Sequence, residues 1–111
     1  DDYHRRCAIT GEKTLPVLEA AHIKPFSMEG PHLACNGLLL RQDIHTLFDR
    51  GYLTITDDYF VKVSNKIRED YGDSNEYYSL DGNKLCIIPD NIKDRPSKEF
   101  IKWHNENIFI G

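Results

Sequence analysis

The sequence predicts an α+β fold, and three observations predict it. Two short apolar runs are separated by a Pro- and Gly-punctuated loop and followed at once by an amphipathic helical segment. A second pair of runs alternates apolar and polar residues around an acidic dipeptide. The C-terminal segment opens on Pro96-Ser97 and spaces its apolar residues at helical intervals.

Each element can be justified in order. Asp1 to Arg6 is polar and reads as the tail of something upstream. Leu15 to His22 reads as a strand, with small Ala20 and Ala21 near its end. Lys24 to Cys35 is a loop, broken by Pro25, Ser27, Gly30 and Pro31. Gly37 to Leu40 returns as a second strand. A helix follows, with Asp43 as candidate N-cap, Leu47 and Phe48 as apolar anchors and Gly51 as stop. Tyr52 to Thr56 and Tyr59 to Ser64 form a hairpin around Asp57-Asp58, and Asn65 to Tyr71 a short helix. Asp81-Gly82 is read as the turn of another hairpin between Tyr77–Leu80 and Lys84–Ile88. The final helix sets Phe100, Ile101, Trp103 and Ile108 on one face, with Trp103 a core anchor and His104 buried and hydrogen-bonded.

Composition narrows the function classes. With 111 residues, 40% hydrophobic and 29% charged, the chain suits one domain, residues 1–111, with enough apolar material for a core. No apolar run approaches the ~20 residues that span a bilayer, so no membrane partner is expected. No secretory signal is visible. The only methionine is Met28, so the chain is expected to be a processed product or a domain of a longer protein. The net charge of −4 argues against a nucleic-acid coat but leaves room for a local positive site. The three cysteines, Cys7, Cys35 and Cys86, form no CxxC pair. They read as small core residues, and the absence of a disulfide framework fits a cytoplasmic protein.

The chemistry gathers around two of the five histidines. His22 ends the first strand at the lip of the loop. His45 lies on the helix with Asp49 four residues later, so imidazole and carboxylate share a face, a plausible metal half-site. Asn36 stands between them. Lys24, Arg41 and Arg50 flank this set as candidate phosphate contacts. His32 is assigned no role.

Three blocks, Leu18–Pro25 (LEAAHIKP), Asn36–Leu40 (NGLLL) and Asp43–Gly51 (DIHTLFDRG), strongly resemble the HNH endonucleases. Arg5–Gly11 (RRCAITG) is similar to the lead-in of bacterial members, including restriction enzymes, and Ile101–Phe109 (IKWHNENIF) is similar to the tail of that group. The matching block runs from about Arg5 to Ile55. The resemblance implies a ββα-metal (HNH, or His-Me finger) core over about residues 15–51, with additional β-hairpins and a C-terminal helix. It implies His22 as general base, Asn36 as the residue holding loop and base, and His45 as metal ligand, with Asp49 one turn on where some relatives have another. Where many relatives place a ligand just before the base, this chain has Ala21. Glu19, on the same strand face, is the candidate to reach in.

The reaction so implied is metal-dependent hydrolysis of DNA phosphodiesters, leaving a 5′-phosphate and a 3′-hydroxyl, in restriction or phage defence. A divalent metal is the expected cofactor: magnesium first, with manganese, nickel or zinc also compatible with an imidazole ligand. DNA is the expected partner, with target recognition supplied by another domain or subunit. The alternatives are a degenerate, non-cleaving domain that binds nucleic acid or protein, which Ala21 favours, and a small zinc protein built on Cys7, Cys35 and His32.

Overall fold

The computed structural model describes residues 2–111, and Asp1 lies outside them. A 3₁₀ turn at Leu15–Val17 leads into β1 (Leu18–His22), so the predicted strand begins three residues late: Pro16 sits in the first turn and removes a ladder donor. β2 (Gly37–Arg41) pairs antiparallel with β1, setting Leu18 against Arg41 and His22 against Gly37. The loop between them carries two further 3₁₀ turns, Phe26–Met28 and Ala34–Asn36.

β2 runs directly into α1 (Gln42–Asp49). Asp43 is not its cap, as the sequence had suggested. Arg41 holds the cap position in extended conformation, and Asp43 lies inside the first turn, where a carboxylate complements the helix dipole. The Asp43 carboxylate also receives Arg41 Nε at 2.6 Å and the Tyr77 hydroxyl at 2.9 Å. These donors, Arg41 above all, hold it below the ordinary carboxylate range. At the other end Gly51 has φ +85°; its N–H meets Phe48 O at 3.4 Å and the Tyr52 N–H meets Leu47 O at 2.9 Å, the paired bonds of a left-handed helix stop.

α1 packs on β1 and β2, so two strands and a helix form one unit. Leu38 and Leu40 alternate inward on β2, and Ile44 and Phe48 point inward from α1. Burying each of these side chains is worth roughly 1.5–3 kcal/mol. Leu39 and Leu47, also expected in the core, are only partly buried at its margin. The N-terminal stretch is not a loose tail: Tyr3 is buried and its hydroxyl donates to Gly37 O at 3.0 Å.

β3 (Leu53–Ile55) and β4 (Val61–Val63) form the expected hairpin, with Leu53 opposite Val63. α2 (Lys66–Tyr71) follows. The second predicted hairpin is absent from the described residues. Tyr77 lies in α3 (Asn75–Tyr78), and Lys84 makes a single bridge to Phe60. Tertiary partners override the strand-like pattern here. The Tyr77 hydroxyl reaches Asp43, the Tyr78 hydroxyl donates to Ser64 O at 2.9 Å, and the Asp81 side chain caps Val63 N at 2.7 Å. Gly82 does make a turn, at φ +82°.

α4 (Lys98–Asn107) opens at Ser97, whose side chain accepts from Glu99 N at 3.2 Å. Its inward residues are Ile101 and His104. Trp103 is only half-buried, with Lys24 over its ring at 5.6 Å, so it is no core anchor. Cys7 is buried as expected, Cys35 is half-buried, and Cys86 is exposed because it lies in irregular chain beyond the Lys84 bridge. No helix among the described residues is long and apolar enough to cross a membrane.

Candidate active site

His22, His45 and Asp49 line one open cleft of about 400 Å³. β1 delivers His22 from its last residue, and α1 delivers the other two from one face. Ala20, Phe26 and His104 contribute to the same walls.

Asn36 is fully buried, and its amide is used up on backbone. Oδ1 accepts from Lys24 N at 2.8 Å, while Nδ2 donates to Lys24 O and Pro31 O, each at 2.9 Å. Its own carbonyl accepts from Ile23 N at 2.9 Å. The side chain therefore ties Lys24 to Pro31 across the loop, the backbone carbonyl holds the residue after the histidine, and the amide does not face the cleft. Gly30 is needed in the same loop, because a Cβ there would collide with the Lys24 carbonyl.

The His45 ring lies between two carboxylates. Nδ1 is 2.8 Å from Glu19 Oε1, and Nε2 is 3.1 Å from Asp49 Oδ2. A neutral imidazole has one N–H to donate, and a carboxylate only accepts. A protonated ring donates to both carboxylates; a neutral one gives its hydrogen to the shorter contact, so Nδ1–H donates to Glu19 and the Nε2 lone pair is left for a cation shared with Asp49. Glu19, read from strand alternation as a candidate ligand in place of Ala21, is thus brought to His45 itself; Ala21 is buried in the core.

This donor set fits a divalent cation. His45 Nε2 and Asp49 Oδ2, 3.1 Å apart on one helix face, are an imidazole nitrogen and a carboxylate oxygen that could both ligate one ion. Glu19 on the other ring nitrogen is the usual carboxylate partner that orients a metal-binding histidine. Among the described residues no three or more His, Cys, Asp or Glu side chains are grouped to hold a metal ion, neither around His45 and Asp49 nor at Cys7, Cys35 and His32, so the protein would supply two ligands. Burial lifts Asp49 above the ordinary carboxylate range; His45 opposes this, the charge of Glu19 adds to it, and His22 opposes it.

The structure separates the three candidate phosphate contacts. Lys24 sits beside Trp103 on a neighbouring groove, and Arg50 is exposed next to Asp49. Arg41 faces a different surface, where Asp43 and Glu76, the latter 3.3 Å away, neutralise its guanidinium. One residue was missed: His32 Nδ1 is 3.0 Å from His22 Nε2, with Phe26 stacked on the His32 ring at 5.3 Å. A histidine ten residues away in an irregular loop carries no periodic signal that could have flagged it.

Residues 7–56 match the family described as HNH endonuclease. Among solved structures the chain is similar to a modification-dependent TagI restriction endonuclease, at 24% identity and a TM-score of 0.61. That likeness covers 96% of this chain and 35% of the other, so the chain spans about a third of that protein's length. It shows a shared fold. No curated protein matches the chain.

Proposed function

We propose, from the HNH endonuclease match over residues 7–56, that the chain hydrolyses DNA phosphodiesters through a ββα-metal core formed by β1, β2 and α1. The observation that carries this reading is the meeting of His22 with the His45–Asp49 pair in one open cleft.

His45 Nε2 and Asp49 would hold the divalent ion, magnesium first among the candidates. Bound there, it supplies positive charge that offsets the charge growing on the phosphate and the departing oxygen. Glu19 keeps the His45 ring turned toward the ion's position. His22 takes the proton from the attacking water, the part of a neutral imidazole acting as general base. Asn36 holds the backbone on either side of the loop, so the His22 ring meets the phosphate in a constant position. Lys24 and Arg50 would meet flanking phosphates. The products are a 5′-phosphate and a 3′-hydroxyl. Target choice comes from another region or subunit, in keeping with the net charge of −4, and the setting is restriction or defence.

The test is nicking of supercoiled plasmid with magnesium, manganese or nickel. The His22→Ala variant is expected to be slower by about 10²–10⁴-fold, the usual worth of a positioned base. Equal cleavage by both proteins overturns the assignment. A non-cleaving binding domain is the second reading, favoured by the buried Ala21 where a ligand is missing. It is supported if the parent never cleaves and calorimetry shows no divalent-ion binding that His45→Ala removes.

A further inference from the structure

We infer that His32 is the positioning partner of His22, selecting the ring nitrogen that acts and stabilising the ring once it is protonated. The inference rests on the reading of His22 as general base.

The two rings meet edge to face, with centroids 4.8 Å apart and planes at 66°, and His22 Nε2 lies 3.0 Å from His32 Nδ1. A hydrogen bond between two neutral imidazoles requires one nitrogen to donate and the other to accept. If His22 Nε2 carries the hydrogen, His32 Nδ1 accepts it and His22 Nδ1 keeps a free lone pair. That tautomer can take a proton at Nδ1. The opposite one would carry a hydrogen at Nδ1 and be unable to. When His22 gains its proton, the Nε2–H bond to His32 persists and becomes charge-assisted, hence stronger. His32 therefore favours the state reached during proton transfer more than the resting one, which is the condition for accelerating the step.

The surroundings hold His32 in place. Phe26, 68% exposed, stacks on its ring at 28° between planes. The Asn36 amide bonds both Lys24, two residues after His22, and Pro31, the residue before His32. One buried side chain thus sets the separation of the two histidines. Neither ring is buried, so core packing gives no account of their contact.

The experiment compares the parent with His22→Ala, His32→Ala, His32→Asn and the double alanine variant in plasmid nicking with magnesium, with unfolding midpoints as a check on folding. An Asn Oδ1 falls near the place of a histidine Nδ1, so it can still accept the bond. Support is a kcat about 10- to 100-fold lower for His32→Ala at unchanged KM, part of the worth of a positioned base. Support also requires partial recovery in His32→Asn and a double variant no slower than His22→Ala. If His32→Ala is as fast as the parent while His22→Ala is slow, the inference falls and the base reading stands. If the two losses multiply in the double variant, His32 acts independently of His22 and the inference falls. If His22→Ala is as fast as the parent, the base reading itself fails and takes the inference with it. Nitrogen NMR of the parent's rings gives a readout without turnover: hydrogen on His22 Nε2 supports the inference, and hydrogen on His22 Nδ1 overturns it.

Discussion

Asn36 shows how much one side chain determines at this site. Its fully buried amide fills three hydrogen bonds to the backbone of half-buried Lys24 and Pro31. Truncation leaves the Lys24 N–H and two carbonyls without partners, and each buried unsatisfied group costs about 1–3 kcal/mol. Asn36→Ala is therefore expected to lose roughly 2–4 kcal/mol of stability in urea unfolding. Asn36→Asp is expected to lose at least as much, since a carboxylate cannot donate to Lys24 O and Pro31 O. An unfolding midpoint unchanged in both variants would contradict the bracing role. His45 is held at the same scale: its Nδ1 lies 2.8 Å from Glu19 Oε1, which keeps Nε2 on the Asp49 side.

At the scale of elements, the site depends on where α1 stops. Gly51 takes φ +85°, and a Cβ there would collide with the Ile108 carbonyl. The chain after α4 closes over this point, with Ile110 N donating to Gly51 O at 2.8 Å. Gly51→Ala combines a left-handed strain of about 1–2 kcal/mol with that collision. The expected loss is about 2 kcal/mol or more, read from the denaturant midpoint. Stability equal to the parent would show that the turn can relax. The last turn of α1 is also gripped from α4. His104 Nε2–H donates to Phe48 O at 2.9 Å, and its Nδ1 accepts from the Thr54 hydroxyl at 2.7 Å. Its ring lies flat on Phe48 at 3.8 Å.

For the whole molecule, that buried histidine makes stability depend on pH. Burial pushes His104 down to about 4, against the pull of the Phe48 carbonyl. The unfolded chain takes up the proton near pH 6.5, while the folded one refuses it until about pH 4. Its share of the stability is therefore present above pH 6.5, falls as pH drops through that window, and changes no further below about 4. The loss amounts to roughly 3 kcal/mol across the window. Urea unfolding between pH 7 and pH 4 should show this component in the parent and not in His104→Gln; equal slopes would refute it.

Much of the fold was legible because it is locally encoded. The β1 ending at His22, the β3–β4 hairpin, the Gly51 stop and the Ser97 cap each follow from neighbouring residues. The misreadings share a cause. Tyr77 and Tyr78 open a run that looks like a strand, yet Asp43 and Ser64, distant in sequence, hold them in a helical turn. Asp43 resembles a cap until Arg41 and Tyr77 claim its carboxylate.

The sequence alone determined which residue types could do this chemistry and their order: His22, then Asn36, then His45 and Asp49 one helical turn apart. Only the tertiary structure decided how the two histidines are held, Glu19 reaching His45 across 26 residues and His32 reaching His22 out of a loop. The reason is physical. Helical and strand spacing are properties of the local backbone, whereas a hydrogen bond near 3 Å between distant side chains depends on where the loop and helix come to rest.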